Sequence, residues 1–153
     1  MKKLFSLCLI CLLALSAMAQ HAPASEGYVD LGLPSGTLWK NANEGGDDAL
    51  YNYDEAVRKF GNKLPTKQQL EELKNKCTWT WTGNGCRVTG PNGNSIFLPA
   101  GECSDGNLCE SFLSSTLIDS KNVYVLHIDS RPVKMMTDTY RPWSERVRLV
   151  YNP

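Results

Sequence analysis

The chain has 153 residues, a length that suits one domain, and its 16 basic and 16 acidic side chains cancel at pH 7. A balanced charge without a basic cluster gives no electrostatic reason to expect nucleic acid or an anionic membrane as a partner. Removal of the N-terminal segment described next takes away Lys2 and Lys3, which lowers the basic count from 16 to 14 against 16 acidic residues. The mature chain is therefore expected to be slightly acidic and not to bind nucleic acid.

Residues 1–19 have the pattern of a secretory signal peptide. A basic start at Lys2 precedes an apolar run over 4–15, and small residues lead to a cleavage site after Ala19. The apolar run is too short for a comfortable membrane span, and Cys11 lacks the small preceding residue of a bacterial lipidation site. We therefore predict an exported protein, periplasmic, at the cell surface or secreted, without membrane insertion after signal cleavage.

Four cysteines remain in the mature chain, and an even count in an exported protein suggests disulfides. Three pairings of four cysteines are possible, and Cys103 and Cys109, which bracket a polar turn, are candidates to close a small loop. Cys77 and Cys86 are also disulfide candidates, but they are not directly opposite each other across a tight hairpin, so that pairing stays open. The spacings contain no Cys-x-x-Cys knuckle, which disfavours zinc.

Residues 20–26 are a short polar lead-in, and 27–153 are predicted to form a single domain. Within it, 28–33 reads as a strand that ends in a turn, and 41–48 is rich in Asn, Gly and Asp and reads as a surface loop.

Two short helices are predicted next. Tyr53, Ala56, Val57 and Phe60 are spaced to share one helical face. A second helix is predicted to begin after Thr66, because a threonine with a glutamine three residues later is a capping-box pattern.

The hydrophobic period then changes to two. Trp79 and Trp81 are predicted to share one face of a hairpin, and 96–98 reads as a buried third strand. Further strands are predicted over 122–128 and 146–151, the last one half-exposed because charged and apolar residues alternate in it.

Three separated blocks, 28–39, 64–73 and 77–100, resemble a large family of exported Bacteroidetes proteins, the Fibrobacter succinogenes major paralogous domain proteins. The resemblance implies an α+β, C-type-lectin-like fold of the variety shared with formylglycine-generating enzymes, with two short helices flanking a twisted antiparallel sheet and long loops. It also implies that the C-terminal region forms the ligand-facing surface. The chain departs from the family pattern there, at Leu113, where relatives carry tryptophan, and over 135–143.

The candidate ligand-binding residues lie in the predicted loops between about Cys103 and Trp143. Trp143 stands beside Tyr140 and Arg141, and an aromatic side chain next to arginine is typical of a binding hot spot. The alternative for Trp143 is a loop anchor against the sheet. Asp119, a loop acid, is included in the candidate site, whereas Trp39, Trp79 and Trp81 are assigned to the core.

The sequence contains no recognisable catalytic constellation. His127 shares a predicted strand face with Val123 and Val125 and is expected to be a packed histidine, and the acidic residues do not follow a calcium-loop spacing. We therefore predict a non-catalytic recognition module for a glycan or a protein, with no cofactor. A structural or self-associating cell-surface component is the alternative, and an enzyme related to formylglycine-generating enzymes is the third hypothesis.

Overall fold

The computed structural model describes residues 27–131 and 135–153. The predicted signal peptide, 1–19, and the lead-in, 20–26, lie outside the described residues. Within the described ranges the chain is α+β, with two short α-helices and antiparallel sheets, as predicted. No helix in these ranges is long and apolar enough to cross a membrane.

The strands form three antiparallel sheets. The helices are α1 (Tyr53–Phe60) and α2 (Lys67–Lys76), and the strands are β1 (Tyr28–Asp30), β2 (Leu38–Lys40), β3 (Thr78–Trp81), β4 (Gly85–Thr89), β5 (Ser95–Pro99), β6 (Gly101–Glu102), β7 (Leu108–Leu117), β8 (Asn122–Asp129), β9 (Met135–Tyr140) and β10 (Val150–Tyr151). The sheet orders are β1-β2-β10, β3-β4-β5 and β6-β7-β8-β9.

Local hydrogen bonds explain where the helices begin. The Thr66 hydroxyl accepts from the Gln69 amide, and the Gln69 side chain accepts from the Thr66 amide, which confirms the predicted capping box. Asn52 and Glu55 make the same reciprocal pair before α1. The predicted apolar face of α1 is too wide, because Tyr53 and Ala56 are buried whereas Val57 is 38% exposed.

Two apolar clusters form the core, one on each face of β7 and β8. The first contains Trp39, which is completely buried as predicted, and Trp79 and Trp81 pack half-buried against it. Phe112 and Leu126 belong to this cluster. The second cluster lies on the opposite face, where its members are Tyr53, Ala56, Leu64, Leu113, Val123, Val125, Val147 and Leu149. The two central strands of the largest sheet, β7 and β8, are thus packed on both faces.

The prediction of a half-exposed strand over 146–151 is wrong. Only Val150–Tyr151 is a strand, and Arg148 is buried. The Arg148 guanidinium donates to the carbonyl oxygens of Lys40 at 3.1 Å and Phe97 at 2.8 Å, and burial lowers its pKa to about 10. These two bonds tie the first sheet to the second, so a charged side chain that reads as exposed in the sequence is an internal brace.

The strand predicted over 122–128 is confirmed as β8, but the predicted loops on either side of it hold two further strands of the largest sheet, β7 and β9. Strand β7 pairs with β8, with Phe112 opposite Leu126, and β8 pairs with β9, with Val125 opposite Thr137. The polar residues of β7 and β9 made these two strands look like loops in the sequence, although apolar residues of β7 belong to both clusters.

Candidate ligand-binding site

The predicted ligand-binding residues meet at one end of the largest sheet. Asn122, the first residue of β8, is paired with Tyr140, the last residue of β9. The Arg141 amide donates to the carbonyl oxygen of Lys121 at 2.6 Å, so the turn between β7 and β8 lies beside the segment that follows β9. We call the surface formed by 117–121 and 140–143 the aromatic tip.

Tyr140 and Trp143 form an exposed aromatic pair. Their ring centroids are 6.2 Å apart with an interplanar angle of 84°, which is an edge-to-face contact. Trp143 is 65% exposed and Tyr140 46%. The Trp143 amide donates to the Tyr140 carbonyl oxygen at 2.7 Å and closes a tight turn between them. The pair is therefore both exposed and held by the backbone.

Arg141 points away from this pair. Its Nε donates to Asp54 Oδ1 at 3.1 Å, its Nη2 also bonds that carboxylate, and its guanidinium lies 5.1 Å from the Tyr53 ring centroid. The hydrogen bond with Asp54 is the main reason why the pKa of Arg141 is raised. Arg141 thus ties the aromatic tip to the start of α1, and its positive charge is paired with Asp54 rather than presented to a ligand.

Asp119 shapes the turn rather than presenting a carboxylate. Its Oδ1 accepts from the amides of Lys121 at 2.7 Å and Asn122 at 2.9 Å, and its Oδ2 accepts from Asn122 Nδ2 at 3.0 Å. These hydrogen bonds, the Asn122 side-chain bond first, lower the pKa of Asp119. Leu117 and Ile118, two exposed aliphatic side chains on the same turn, were not among the predicted site residues. Two adjacent aliphatic residues directly before a polar Asp-Ser-Lys-Asn turn were the available signal.

The opposite end of β8 carries a polar pocket of about 420 Å³. It lies between the Cys103–Cys109 loop and the last residues of β8, and its lining residues are Cys103, Ser104, Asp105, Asn107, Cys109, His127, Asp129, Ser130 and Arg131. Of the candidate pairings, Cys103 and Cys109 form a disulfide, with Cα atoms 5.8 Å apart.

Cys77 and Cys86 are not joined to each other. Cys86 lies opposite Trp81 in the β3–β4 pair, whereas Cys77 precedes β3, so the register keeps the two apart. Burial, with a smaller contribution from Glu72, raises the pKa of the Cys77 thiol to about 11. A thiol with so high a pKa is a poor nucleophile at neutral pH.

His127 has a serine partner that no spacing in the sequence indicates. Ser111 lies opposite His127 in the β7–β8 pair, and its Oγ is 3.0 Å from His127 Nδ1. Asp129 Oδ2 is 3.9 Å from His127 Nε2, which is too long for a hydrogen bond.

Asp129 is committed to a different partner. Its Oδ1 accepts from the Arg131 amide and its Oδ2 from Arg131 Nε, both at 2.8 Å, and the side-chain bond is the main reason why the pKa of Asp129 is lowered. The histidine ring is therefore not oriented by a carboxylate, as an activated serine would require. The Ser111–His127 pair reads as a satisfied structural contact.

Over 27–131 and 135–153, no group of three or more His, Cys, Asp or Glu side chains is placed to hold a metal ion.

No protein-family model, no curated protein and no solved structure matches this chain. The candidate function therefore follows from the residues and their geometry.

Proposed function

We propose that this chain is an exported, non-catalytic recognition module that binds a glycan or a protein through the aromatic tip. The observation that carries the proposal is the Tyr140–Trp143 pair, which is exposed and yet fixed by the turn between the two residues. Large exposed aromatic side chains cost little conformational entropy when they bind, and a fixed pair is already ordered before the ligand arrives.

The surroundings of the pair support binding rather than burial against the chain's own core. Arg141 anchors the tip to Asp54 on α1, and Asp119 orders the neighbouring turn. Leu117 and Ile118 add apolar surface beside polar backbone and amide groups. A rigid aromatic anchor with an adjacent polar rim is the composition of a recognition surface.

The family and the finer fold are part of the same proposal. The three sequence blocks resemble the Fibrobacter succinogenes major paralogous domain family, and an α+β chain with two short helices and antiparallel sheets is compatible with a C-type-lectin-like fold. Export, to the periplasm, the cell surface or the medium, is inferred from the signal-peptide pattern of 1–19.

The alternatives predict different observations. A self-associating cell-surface component would show concentration-dependent association without added ligand. An enzyme would lose turnover when His127 is replaced, but the distance of 3.9 Å between His127 Nε2 and Asp129 Oδ2 does not support that hypothesis.

The test is binding of the purified exported protein to a broad glycan array, in calcium and in EDTA. Wild type is compared with Trp143→Ala and with Tyr151→Ala as the matched control. Tyr151 is exposed and makes an edge-to-face contact with Tyr28 at 6.1 Å, like the pair at the tip, but it lies in a different sheet. We expect a related set of glycans to be retained by wild type and Tyr151→Ala and lost by Trp143→Ala.

A blank array shifts the expected ligand to a protein, and capture from the native cell envelope with the same three variants then decides. Equal retention by wild type and Trp143→Ala in both assays would refute the aromatic tip as the binding surface. The difference between the calcium and EDTA arrays shows whether a bound cation is needed.

A further inference from the structure

Strand β9 (Met135–Tyr140) is the outer strand of the largest sheet. The order β6-β7-β8-β9 places β8 on one side of β9 and, within the described part of the chain, no strand on the other. An outer strand carries a row of backbone groups that pair with nothing in their own sheet, and such a row is a template for another strand.

The register identifies which backbone groups face outward. The Arg141 amide donates to the Lys121 carbonyl, so the pair 121–141 is hydrogen-bonded, and bonded and non-bonded pairs alternate along an antiparallel ladder. Residues at odd positions of β9 therefore bond to β8, whereas Met136, Asp138 and Tyr140 direct their N–H and C=O groups away from it. The bond from the Trp143 amide to the Tyr140 carbonyl oxygen agrees with this assignment, because that oxygen must point outward to accept it.

Five outward groups remain after that bond: N–H and C=O of Met136, N–H and C=O of Asp138, and N–H of Tyr140. No described residue donates to or accepts from any of them. The Asp138 and Tyr140 side chains at this edge are exposed, so the row is accessible.

Asp138 gives this edge a charge preference. Its side chain makes no ion pair with any described residue, and it shares a face of β9 with Met136 and Tyr140. In a strand added to this edge, the residue opposite Asp138 would lie about 5 Å away, where an opposite charge stabilises and a like charge destabilises.

A second copy of the chain fits this edge poorly. Two β9 strands related by a two-fold axis use all three outward residues only when Asp138 lies opposite Asp138 of the other copy, with Met136 opposite Tyr140. That register places two carboxylates directly across from each other. A shift of two residues relieves the repulsion but leaves either Met136 or Tyr140 outside the paired segment of β9. A charged residue in the middle of an outer strand is a known device against self-pairing.

We propose that the free edge of β9 is a docking site for an extended segment of another protein that adds as a strand and carries lysine or arginine opposite Asp138. Strand addition of this kind takes affinity from main-chain hydrogen bonds and specificity from alternate side chains. The site shares only the Tyr140 backbone with the aromatic tip, because it uses the backbone of Met136, Asp138 and Tyr140 and the charge of Asp138 rather than the rings of Tyr140 and Trp143.

The test is an amide chemical-shift titration of the purified exported protein with two blocked seven-residue peptides. Both have threonine at the odd positions and leucine and valine at the second and sixth, and they differ only in lysine or glutamate at the centre. We expect the amides of Met136, Asp138 and Tyr140 to shift and to gain protection from hydrogen exchange. The lysine peptide should bind about fivefold more tightly than the glutamate peptide.

Variants at Asp138 make the test specific. Asp138→Asn should remove the preference, and Asp138→Lys should reverse it, while Trp143→Ala should leave it unchanged. Loss of glycan or envelope binding in Trp143→Ala can thus be distinguished from loss of peptide binding at the β9 edge. The proposal is overturned by absent shifts at these three amides, by shifts confined to residues 117–121 and 141–143, or by a preference that Asp138→Lys leaves intact. It is also overturned if Asp138→Asn sediments as a dimer while neither peptide shifts the β9 amides, a result that assigns the edge to a second copy.

Discussion

Replacing Trp143 with alanine tests whether this side chain belongs to a binding surface or to the core. Trp143 is 65% exposed, so only about a third of the roughly 250 Å² of a tryptophan is covered, or about 90 Å². At 25 cal/mol per Å² this sets an upper limit of about 2 kcal/mol. Alanine keeps the backbone bond to Tyr140 and part of the covered area, so we expect a loss of about 1 kcal/mol and a melting temperature lower by about 3–5 °C.

The comparison is Trp39→Ala, which removes the same side chain from a completely buried position in the first cluster. Loss of a buried tryptophan costs about 3–5 kcal/mol, so this variant should be severely destabilised or fail to fold. Urea unfolding followed by far-ultraviolet circular dichroism measures both without depending on tryptophan fluorescence. The slope of the unfolding free energy against urea checks that the compactness of the two end states is unchanged.

A loss of 3 kcal/mol or more in Trp143→Ala would contradict the structure, because so large a value requires a side chain that is mostly covered. Trp143 would then be a loop anchor, and the aromatic tip would lose its central residue as a ligand contact. A small loss, together with loss of ligand binding, would assign Trp143 to recognition.

Three further predictions test the scaffold. A Cβ on Gly90 would lie 2.0 Å from the Leu31 carbonyl oxygen, so Gly90→Ala should lower the free energy of unfolding in urea by about 3 kcal/mol. In the control Gly101→Ala the added Cβ would lie 3.8 Å from its nearest atom, and the free energy of unfolding should change by less than about 0.5 kcal/mol. Equal effects would contradict the packing of the β4–β5 turn against Leu31. Replacing Cys103 and Cys109 together by serine should cost about 2 kcal/mol, because the closed loop is short, and an unchanged urea midpoint would be inconsistent with an intact disulfide in the wild type. At pH 9 the Cys77 thiol should react with iodoacetamide about fiftyfold more slowly in the folded protein than in urea, because burial raises its pKa in the folded state to about 11. The stability that the buried neutral thiol contributes is present below about pH 9 and is lost as the pH rises through 11. Equal reaction rates in the folded protein and in urea would refute the burial of Cys77.

The features predicted correctly from the sequence are those that neighbouring residues determine. The Thr66–Gln69 capping box and the turn between β3 and β4 depend on residues three or four positions apart. The short disulfide loop from Cys103 to Cys109 is local in the same sense. Because these patterns depend only on nearby residues, they can be recognised without knowledge of the tertiary structure.

The features that were missed depend on distant partners. Strand β7 reads as a polar loop until its register with β8 places Phe112 opposite Leu126 and Leu113 opposite Val125. Arg148 reads as exposed until the carbonyl oxygens of Lys40 and Phe97 surround it. The Arg148 contacts join segments far apart in the chain, and these two β7–β8 pairs join residues 12 or more positions apart, beyond the reach of a local sequence pattern.

The same difference between local and non-local signals applies to the residues of the candidate site. Tyr140 and Trp143 were predicted as site residues because aromatic side chains stand next to an arginine in the sequence, and in the structure both are exposed. Arg141 has the same sequence signal, but its charge is bound by Asp54, 87 residues earlier in the chain. The pairing of Ser111 with His127 likewise appears only through the β7–β8 register.

The two ends of β8 differ in what a ligand would gain there. In the polar pocket the charge of Asp129 is already bound by Arg131, so a ligand that competes for either group must first break that pair. At the aromatic tip nothing has to be broken: covering the exposed part of Trp143 removes about 160 Å² of surface from water, worth about 4 kcal/mol at most before ordering costs. The polar pocket offers a ligand more enclosed volume, but the aromatic tip offers it more favourable free energy of binding. Ligand capture should therefore be sensitive to Trp143→Ala and insensitive to Arg131→Ala, and the reverse pattern would move the binding site to the other end of the sheet.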